Sequence, residues 1–359
     1  MAAARTSEYD DFHSSRVARI RVDERGSHGG GDAVVARRTA VFFALSSLFF
    51  GGTFVAAKAG LAYFPPLLFV ALRFDVAAVI MLTYVGLTTS RADLLPRTRG
   101  DVGAVLATGV LAIGLTNALL FVGQQYVTSA VGSIMYSLNP IMTPIFAAFF
   151  LSDERLSARG AAGLGLGLLG VGLVVSPDPA NLLGGAVGKG ILFVGAIAAA
   201  LGAVLIRRAD SDLSSTVRVA WGLPFAAALC HLLAWTGGES AATIDWSLEA
   251  VAALGYVSVF AGVLAYIAYF GLIDTAGAIR ANLIFYVVPV VSTLGGWALL
   301  GETIDAPAIA GFLTIFAGFA VLGSKSVDLR SLRERLTPDP RLPDDETPVR
   351  DEPRGYRSD

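Results

Sequence analysis

The sequence carries too little charge for a soluble globular protein of its length. Only 16% of its 359 residues are charged, against about 25% in soluble domains. It also has a single cysteine, Cys230, which excludes an internal disulfide framework and a cysteine-rich metal site. With a formal net charge of −2, the chain shows no sign of a nucleic acid partner, and no metal or cofactor is expected.

The two ends of the chain lack long apolar runs. Residues 1–38 are polar and contain no short apolar segment followed by a secretory cleavage site, so we expect a disordered cytoplasmic tail there. Residues 325–359 are charged and proline-rich, and we expect the same of them. The middle of the chain is different, because 54% of all residues are hydrophobic and the mean hydropathy is +0.64.

Ten apolar stretches meet or approach the length of about 20 residues that a helix needs to cross a hydrocarbon core about 30 Å thick. Continuous apolar runs of this length exclude the alternating strands of a membrane barrel. The predicted spans are residues 39–59, 65–87, 103–123, 129–151, 158–176, 188–206, 217–236, 250–272, 278–300 and 306–323.

The charges flanking these spans are strongly asymmetric. Seventeen Lys and Arg residues near helix ends fall on the side of the amino terminus, whereas only Lys58 and Lys189 fall on the other side. The positive-inside rule therefore predicts a multi-pass protein of the cell membrane with both termini in the cytoplasm. Termini on the same side require an even number of crossings, which agrees with ten.

The two halves of the chain resemble each other at a shift of about 150 residues. Thr128 is opposite Thr275, Pro140 is opposite Pro289, and Glu154 is opposite Glu302, in the same order in both halves. Five is an odd number of crossings, so the second copy must enter the membrane from the opposite face. We predict an all-α fold of ten transmembrane helices in two inverted five-helix repeats, residues 39–176 and 188–324. Inverted repeats place a substrate site near the midplane between the halves.

Several segments also resemble a known family. They are GGTFVAAKAG (51–60), PPLLFVALRF (65–74), QQYVTSAVGSIMYSLNPIMTPIFAAFFLSDERL (124–156) and YIAYFGLIDTAGAIRANLIFYVVPVVSTLGGWALLGETI (266–304). Together they resemble the drug/metabolite transporter superfamily, specifically its EamA members, over residues 39–324. The resemblance implies an exporter or exchanger of amino acids and other small metabolites, often driven by a proton gradient.

Arg73 and Asp75 are the ionisable residues set deepest in any predicted span. A charge there costs roughly 2.5–3.5 kcal/mol or more, so both should face the protein interior or a wet cavity. Being two residues apart on a helix, they point to different faces. One hypothesis makes Arg73 an anchor for an anionic substrate and Asp75 a proton-coupling group. The other makes each a structural residue tied to a polar neighbour on another helix.

Other candidates fall into three groups. Lys58 either snorkels to the interface or contacts substrate, and Glu154 and Glu302 are predicted to cap the first turns of helices 5 and 10. His231 is interpreted as a packing histidine more readily than as a proton relay. Prolines and polar-tipped residues on helices 3, 4, 8 and 9 are predicted to line the transport path: Tyr126, Tyr136, Asn139, Pro140, Tyr266, Tyr269, Asn282, Tyr286 and Pro289. The alternatives are helix kinks that serve packing only and, for residues near helix ends, anchoring at the membrane interface.

The leading hypothesis is a secondary transporter of a small molecule, working by alternating access, with proton coupling as an option. Its site would lie between helices 1, 3 and 4 and helices 6, 8 and 9. The chain contains no nucleotide-binding loop, and we do not expect an enzyme, because no HExxH or acidic metal cluster occurs. An intramembrane enzyme and a passive channel or scaffold remain the alternatives. The sequence does not predict the oligomeric state.

Overall fold

The computed structural model describes residues 34–35, 37–150, 158–175, 186–276, 281, 283–303 and 306–323. Their contacts place all of them but Gly323 in one unit, Met1–Leu322. These ranges are helical and contain no β-strand, as the apolar runs predict. The two predicted tails, apart from a few residues at their inner edges, lie outside the described residues, as do Glu154 and Asn282.

The described helices begin and end within a few residues of the predicted spans. We number them in chain order, with segments given where a helix changes its winding. They are α1 Arg37–Gly60, α2 Pro66–Thr88, α3 Arg99–Gln124, α4 Ser129–Tyr136 continued by Asn139–Phe150, α5 Ala158–Val175, α6 Ala186–Arg208, α7 Ser215–Thr236, α8 Leu248–Gly255 continued to Ala276, α9 Ile284–Leu300 and α10 Ala306–Gly323.

Seven of these helices, α1 to α4 and α6 to α8, are long and apolar enough over the described residues to cross a membrane. The remaining three, α5, α9 and α10, are shorter, with 17 or 18 residues each. The polypeptide is therefore a multi-pass membrane protein. Pro66 opens α2, where a missing backbone N–H costs nothing, and Thr98 caps α3 together with Asp101.

Two helices are wound wider over one stretch, and the stretches occupy equivalent positions in the two halves. α3 is π-helical over Ala107–Leu115, and α8 is π-helical over Tyr256–Leu264. Both segments are 9 residues long, and they are separated by the shift that relates Pro140 to Pro289. A π segment leaves some backbone groups mispaired, so it tends to mark a functional region. The shared feature indicates that the halves are copies of one unit.

Helices from the two halves pack closely through small residues. α2 packs on α7, and α3 packs on both α6 and α7. A Cβ at Gly202 would overlap the backbone of Ala112, and one at Gly109 would overlap the carbonyl of Gly222. In lipid, close backbone approach replaces the hydrophobic drive between helices, so glycine is favoured at such contacts.

A glycine-rich run, residues 160–172, lies in α5 and contacts α10. A Cβ added at Gly318 would meet the Gly163 carbonyl at 2.7 Å, and one at Gly170 would meet the Gly311 carbonyl at the same distance. The helices that end the two halves therefore pack backbone to backbone. The glycines of this run therefore serve close helix packing in the membrane.

α2 and α7 are antiparallel neighbours. At one end, the Glu239 carboxylate beyond α7 accepts hydrogen bonds from the first backbone amides of α2, Leu67 N at 3.1 Å and Leu68 N at 2.8 Å. At the other end, Trp221 Nε1 near the start of α7 donates to the Leu94 carbonyl beyond α2. The start of each helix thus lies beside the end of the other.

Candidate functional site

A cavity of about 310 Å³ lies among α1 to α4 of the first half and α6 to α9 of the second. Aromatic side chains form much of its wall, and hydroxyl and amide groups interrupt them. This mixture is typical of a small-molecule site, where apolar surface surrounds a few polar groups. The aromatic lining residues are Phe50, Phe54, Tyr136, Tyr266, Tyr269, Phe270 and Phe285, and the polar ones include Thr53, Thr108, Thr116, Asn117, Ser133, Ser137 and Asn139.

Arg73 is the most deeply buried charge of the cavity, with 2% of its surface exposed. Its Nη1 donates to Asn117 Oδ1 at 3.1 Å, and its guanidinium lies over the rings of Phe74 and Phe121, 5.0 and 5.6 Å from their centres. Its Nε has no hydrogen-bond partner within the described part of the chain. Because a guanidinium carries five N–H donors, Arg73 keeps donors free for a ligand.

The charge of Arg73 has no counter-ion among the described residues that line the cavity. Among the described lining residues there is no aspartate or glutamate. Asn117 supplies only an amide oxygen, and its own Nδ2 donates to the Ile113 carbonyl at 2.8 Å in the π segment of α3. An unpaired buried cation is costly in a low-dielectric interior, so the arrangement favours binding of an anion.

Hydrogen bonds fix the walls around Arg73. Tyr136 Oη donates to the Thr116 carbonyl at 2.5 Å, which ties α4 to the end of the π segment. Ser137 Oγ donates to the Phe285 carbonyl at 3.1 Å, and the hydroxyls of Ser133 and Ser292 are 2.5 Å apart. These contacts join α4 to α9 at the turn that separates the two segments of α4. This turn, with Ser137 and Asn139, is therefore part of the cavity wall.

Five of the residues predicted from sequence line the cavity: Arg73, Tyr136, Asn139, Tyr266 and Tyr269. Tyr126, by contrast, is 54% exposed. Pro289 lies inside α9, where its carbonyl accepts hydrogen bonds from the hydroxyls of Ser292 and Thr293. The side chains of Pro140 and Tyr286 lie outside the described part of the structure, as does all of Asn282.

Asp75 does not occupy the interior position expected for it. It is absent from the cavity wall, and its side chain is 47% exposed on the face of α2 that carries Val76 and Val79. Its Oδ2 lies 2.8 Å from His231 Nε2 on α7. The helical period explains the difference: two residues rotate the side chain by about 200°, so burying Arg73 turns Asp75 outward. His231, 43% exposed, pairs with a carboxylate instead of packing in the core.

A second polar group, which we call the Glu302 cluster, consists of Lys58, Gln124, Ser129 and Glu302. Both Glu302 carboxylate oxygens accept from Ser129 N, at 3.1 and 3.0 Å, at the first residue of α4. Lys58 Nζ donates to the Gln124 carbonyl at 2.7 Å and is attracted electrostatically by Glu302. Gln124 Nε2 and Ser129 Oγ both donate to the Phe54 carbonyl. The cluster thus joins α1, α3 and α4 to the end of α9.

The cluster changes two interpretations made from sequence. Glu302 was expected to cap α10, but its carboxylate caps α4 of the other half. Gly301 ends α9 with φ of 66°, a left-handed conformation that favours glycine, and Glu302 N then donates back to the Gly296 carbonyl. The chain therefore folds back over its own helix, which directs Glu302 to Ser129. Lys58 is directed to a backbone carbonyl of α3.

Asn117 and Arg218 are two polar residues of the cavity wall that were not singled out from sequence. Asn117 is a lone amide near the middle of the third predicted span, and that position was a sufficient signal. Arg218 lines the same cavity from the first turn of α7. It was counted among the flanking charges, because its position one residue inside the predicted span 217–236 is typical of a snorkelling residue.

A family model described as the EamA-like transporter family matches residues 37–176 and 187–324. The chain belongs to the EamA-like transporter family. The model matches twice, so the chain contains two copies of the EamA repeat, as the internal similarity predicts. The resemblance to EamA proteins noted in the sequence is thereby confirmed.

Relatives of this EamA-like chain are also named as transporters. An uncharacterized transporter of Archaeoglobus fulgidus is 26% identical over 292 residues, which cover 79% of this chain and 98% of that protein. The uncharacterized inner membrane transporter YedA of Escherichia coli K12 is 28% identical over 269 residues, covering 74% and 84%. A solved crystal structure with 20% identity has a TM-score of 0.55 and covers 79% of this chain and 96% of that one, which shows a similar fold.

Proposed function

We propose that this EamA-like protein is a secondary transporter that binds a small carboxylate-bearing metabolite in the cavity and carries it by alternating access. The observation that carries the proposal is Arg73, a buried cation in a cavity walled by both repeats, with no carboxylate among the described lining residues. Charges at this depth are expensive and are retained mainly along substrate or ion pathways. Amino acids are one class that meets this description, and export or exchange is the proposed direction.

The proposed architecture is ten transmembrane helices in two inverted repeats, residues 39–176 and 188–324, with cytoplasmic tails at 1–38 and 325–359. The charge asymmetry supports it, because five crossings per repeat invert the second copy. The paired π segments and the antiparallel contact of α2 with α7 support it as well.

The Glu302 cluster is proposed as the seal on the extracellular side. The cavity reaches the other way, because Arg218 and Ile206 line it near the ends of α7 and α6 that carry the positive charges. In this conformation the cavity thus extends toward the cytoplasmic side. Rocking of one repeat on the other would break the bonds of Glu302 to Ser129 and expose Arg73 to the outside.

The pair of Asp75 and His231 is proposed as the proton-coupling site. It connects α2 of one repeat to α7 of the other, so its hydrogen bond is sensitive to their relative movement. Its position outside the cavity separates proton binding from substrate binding. Transfer of one proton to the pair changes its charge in a membrane environment, which can bias the two conformations.

Counterflow in proteoliposomes tests the transport proposal. Vesicles preloaded with an unlabelled carboxylate should accumulate the labelled compound transiently, since only a carrier shows acceleration by substrate on the opposite side. Arg73→Ala should abolish this accumulation, and Arg91→Ala, which removes an exposed arginine outside the cavity, should leave it intact. Equal flux with and without preloading would instead indicate a channel, and no flux for any candidate would remove the transport proposal.

Cysteine labelling tests the inverted arrangement. Ser90 and Ser240 are exposed and follow α2 and α7, the equivalent helices of the two repeats. In a Cys230→Ala background, an impermeant thiol reagent should label Ser240→Cys in intact cells and Ser90→Cys only after permeabilisation. Labelling of both positions from the same compartment would overturn the inverted topology.

A further inference from the structure

The cavity contains a second guanidinium group. Arg218 is half-buried in the first turn of α7, and its Nη2 donates to Ser215 Oγ at 3.2 Å. Its Nε is buried and has no hydrogen-bond partner among the described residues. Arg218 therefore resembles Arg73, because each keeps unused donors and each borders the same space. An arginine that only anchored the helix at the interface would extend into water and leave no buried donor unpaired.

The two arginines lie at different depths along the cavity. Because α2 and α7 are antiparallel, the end of α2 at Thr88 is near the start of α7 at Ser215. Arg73 lies fifteen residues before Thr88, about 22 Å along the helix, and Arg218 lies three residues after Ser215, about 4–5 Å. Their backbones are thus roughly 18 Å apart along the bundle, with Arg218 nearer the proposed cytoplasmic side.

Three acidic groups of the helix bundle are engaged elsewhere. Asp75 is engaged by His231, Glu302 by Ser129, and Glu239 by the start of α2. A cationic group in the cavity would therefore meet two guanidinium charges and, among the described lining residues, no carboxylate. The guanidinium beside a bound ammonium group repels it by several kcal/mol, whereas one roughly 18 Å away contributes on the order of 1 kcal/mol at an effective dielectric constant of about 20.

We propose that the cavity selects small organic acids that carry no ammonium group, and that Arg218 is the residue that sets this charge selectivity. This inference rests on the proposed function and narrows its substrate class, because it excludes amino acids and organic cations. Arg218 attracts the anion where it enters, and Arg73 holds its carboxylate at depth. An ammonium group on the same molecule is repelled by both, and the hydroxyls and amides of the wall offer it dipoles only.

Pairs of ligands that differ in one group provide the test. Malate and aspartate, or phenyllactate and phenylalanine, share a skeleton and exchange a hydroxyl for an ammonium group. In counterflow competition with the full-length protein, each hydroxy acid should compete at least about tenfold better than its amino acid. Arg218→Ala should reduce that ratio to about threefold or less, and Arg218→Lys should keep most of it, because the charge remains.

Thermal stabilisation of the purified protein by the same ligands gives a second readout that needs no transport. Arg218→Ala and Arg218→Lys are first compared by their melting temperatures without ligand, and Arg91→Ala serves as the control with unchanged selectivity. Amino acids that compete or stabilise as well as the hydroxy acids would overturn the inference and leave the transport proposal standing. An unchanged ratio in Arg218→Ala would remove the role of Arg218. Absence of counterflow together with selective stabilisation by hydroxy acids would remove transport and leave the anion selectivity.

Discussion

The cavity and the Glu302 cluster both place a basic side chain inside the helix bundle, but they differ in what surrounds it. Lys58 donates to a carbonyl and lies in the field of the Glu302 carboxylate. Arg73 has an amide oxygen and two aromatic faces, but no carboxylate in its cavity wall as described. Lys58 thus has a carboxylate nearby, whereas Arg73 has none among the described lining residues and is the group proposed to bind the ligand.

This difference separates groups that hold helices together from groups that bind. The Glu302 carboxylate accepts a hydrogen bond from Ser129 N and attracts Lys58, so both its charge and its acceptor atoms have partners. These interactions therefore stabilise the conformation in which α9 and α4 are joined. A guanidinium with a free buried Nε is destabilising until an anion arrives. The presence of a counter-ion, more than burial itself, therefore distinguishes the proposed seal from the proposed site.

The difference between the cavity and the Glu302 cluster should disappear when the cavity is given a carboxylate of its own. Asn117→Asp places one where Asn117 Oδ1 already accepts from Arg73. The new ion pair should compete with the substrate anion and reduce its affinity about 100-fold, because close charge pairs at buried sites couple by about 2–5 kcal/mol. Affinity is measured by counterflow competition and by ligand-induced thermal stabilisation.

Asn117→Ala is the matched control for that substitution. It removes the hydrogen bond that Arg73 donates to Asn117 without adding charge, and we expect a loss of affinity of about tenfold or less, since a single bond to a charged group contributes about 1.5–3 kcal/mol before the ligand compensates. If Asn117→Asp bound the anion as well as the alanine variant does, Arg73 would not be the anchor.

Asp75→Asn tests whether proton binding is separate from the cavity. Since Asp75 faces away from the lining, affinity for the organic acid should change less than about threefold, within the small effect of a distant charge. Uptake driven by an imposed pH gradient should, in contrast, fall to the level seen without a gradient. The variant His231→Gln should behave in the same way, because it removes the other half of the pair. Unchanged gradient-driven uptake in both variants would contradict the coupling role.

Much of the fold followed from local patterns, because a membrane span is a continuous apolar run whose length is set by the bilayer. The all-helical structure, the positions of the helices and the two EamA repeats were all predictable for that reason. The site was predictable where the free-energy cost of a charge in lipid identifies a residue. Arg73 is such a residue, because a guanidinium in the middle of a membrane span has to face the protein interior.

The remaining features depend on how helices face one another, which a single sequence does not specify. A charge on Asp75 costs as much free energy in lipid as one on Arg73. Asp75 nevertheless lies outside the cavity, because it is on another face of α2 and pairs with His231. Glu302 caps a helix about 170 residues away, because Gly301 turns the chain back over α9. Arg218 was classified by its distance from a helix end, whereas its role depends on what borders α7.

Glu302→Gln should weaken the Glu302 cluster, in which the basic side chain has a carboxylate nearby. The amide oxygen can still accept from Ser129 N, but the charge that attracts Lys58 is lost, and a neutral hydrogen bond is about half as strong as a charge-assisted one. The proposed seal should open more often. With Thr53→Cys in the Cys230→Ala background, an impermeant thiol reagent added to intact cells should label the buried cavity residue about fivefold faster.

Glu239→Gln is the control for this experiment, because Glu239 also binds helix amides, Leu67 N and Leu68 N, but outside the Glu302 cluster. Its labelling rate should equal that of the parent. If both glutamine variants accelerated labelling equally, the change would reflect general loosening, and the Glu302 cluster would lose its assignment as the seal.

The smallest effect is expected for Tyr136→Phe, which removes one hydroxyl from the cavity wall. That hydroxyl donates to the Thr116 carbonyl, so its loss removes the bond that ties α4 to the helix carrying Asn117, the hydrogen-bond partner of Arg73. A single neutral hydrogen bond contributes about 1 kcal/mol, which corresponds to a loss of affinity of about fivefold or less. Because no charge changes, the preference for malate over aspartate should stay as in the parent. A change in that preference would mean that the tyrosine hydroxyl contacts the substrate directly. Charge would then not be the sole difference between the cavity and the Glu302 cluster.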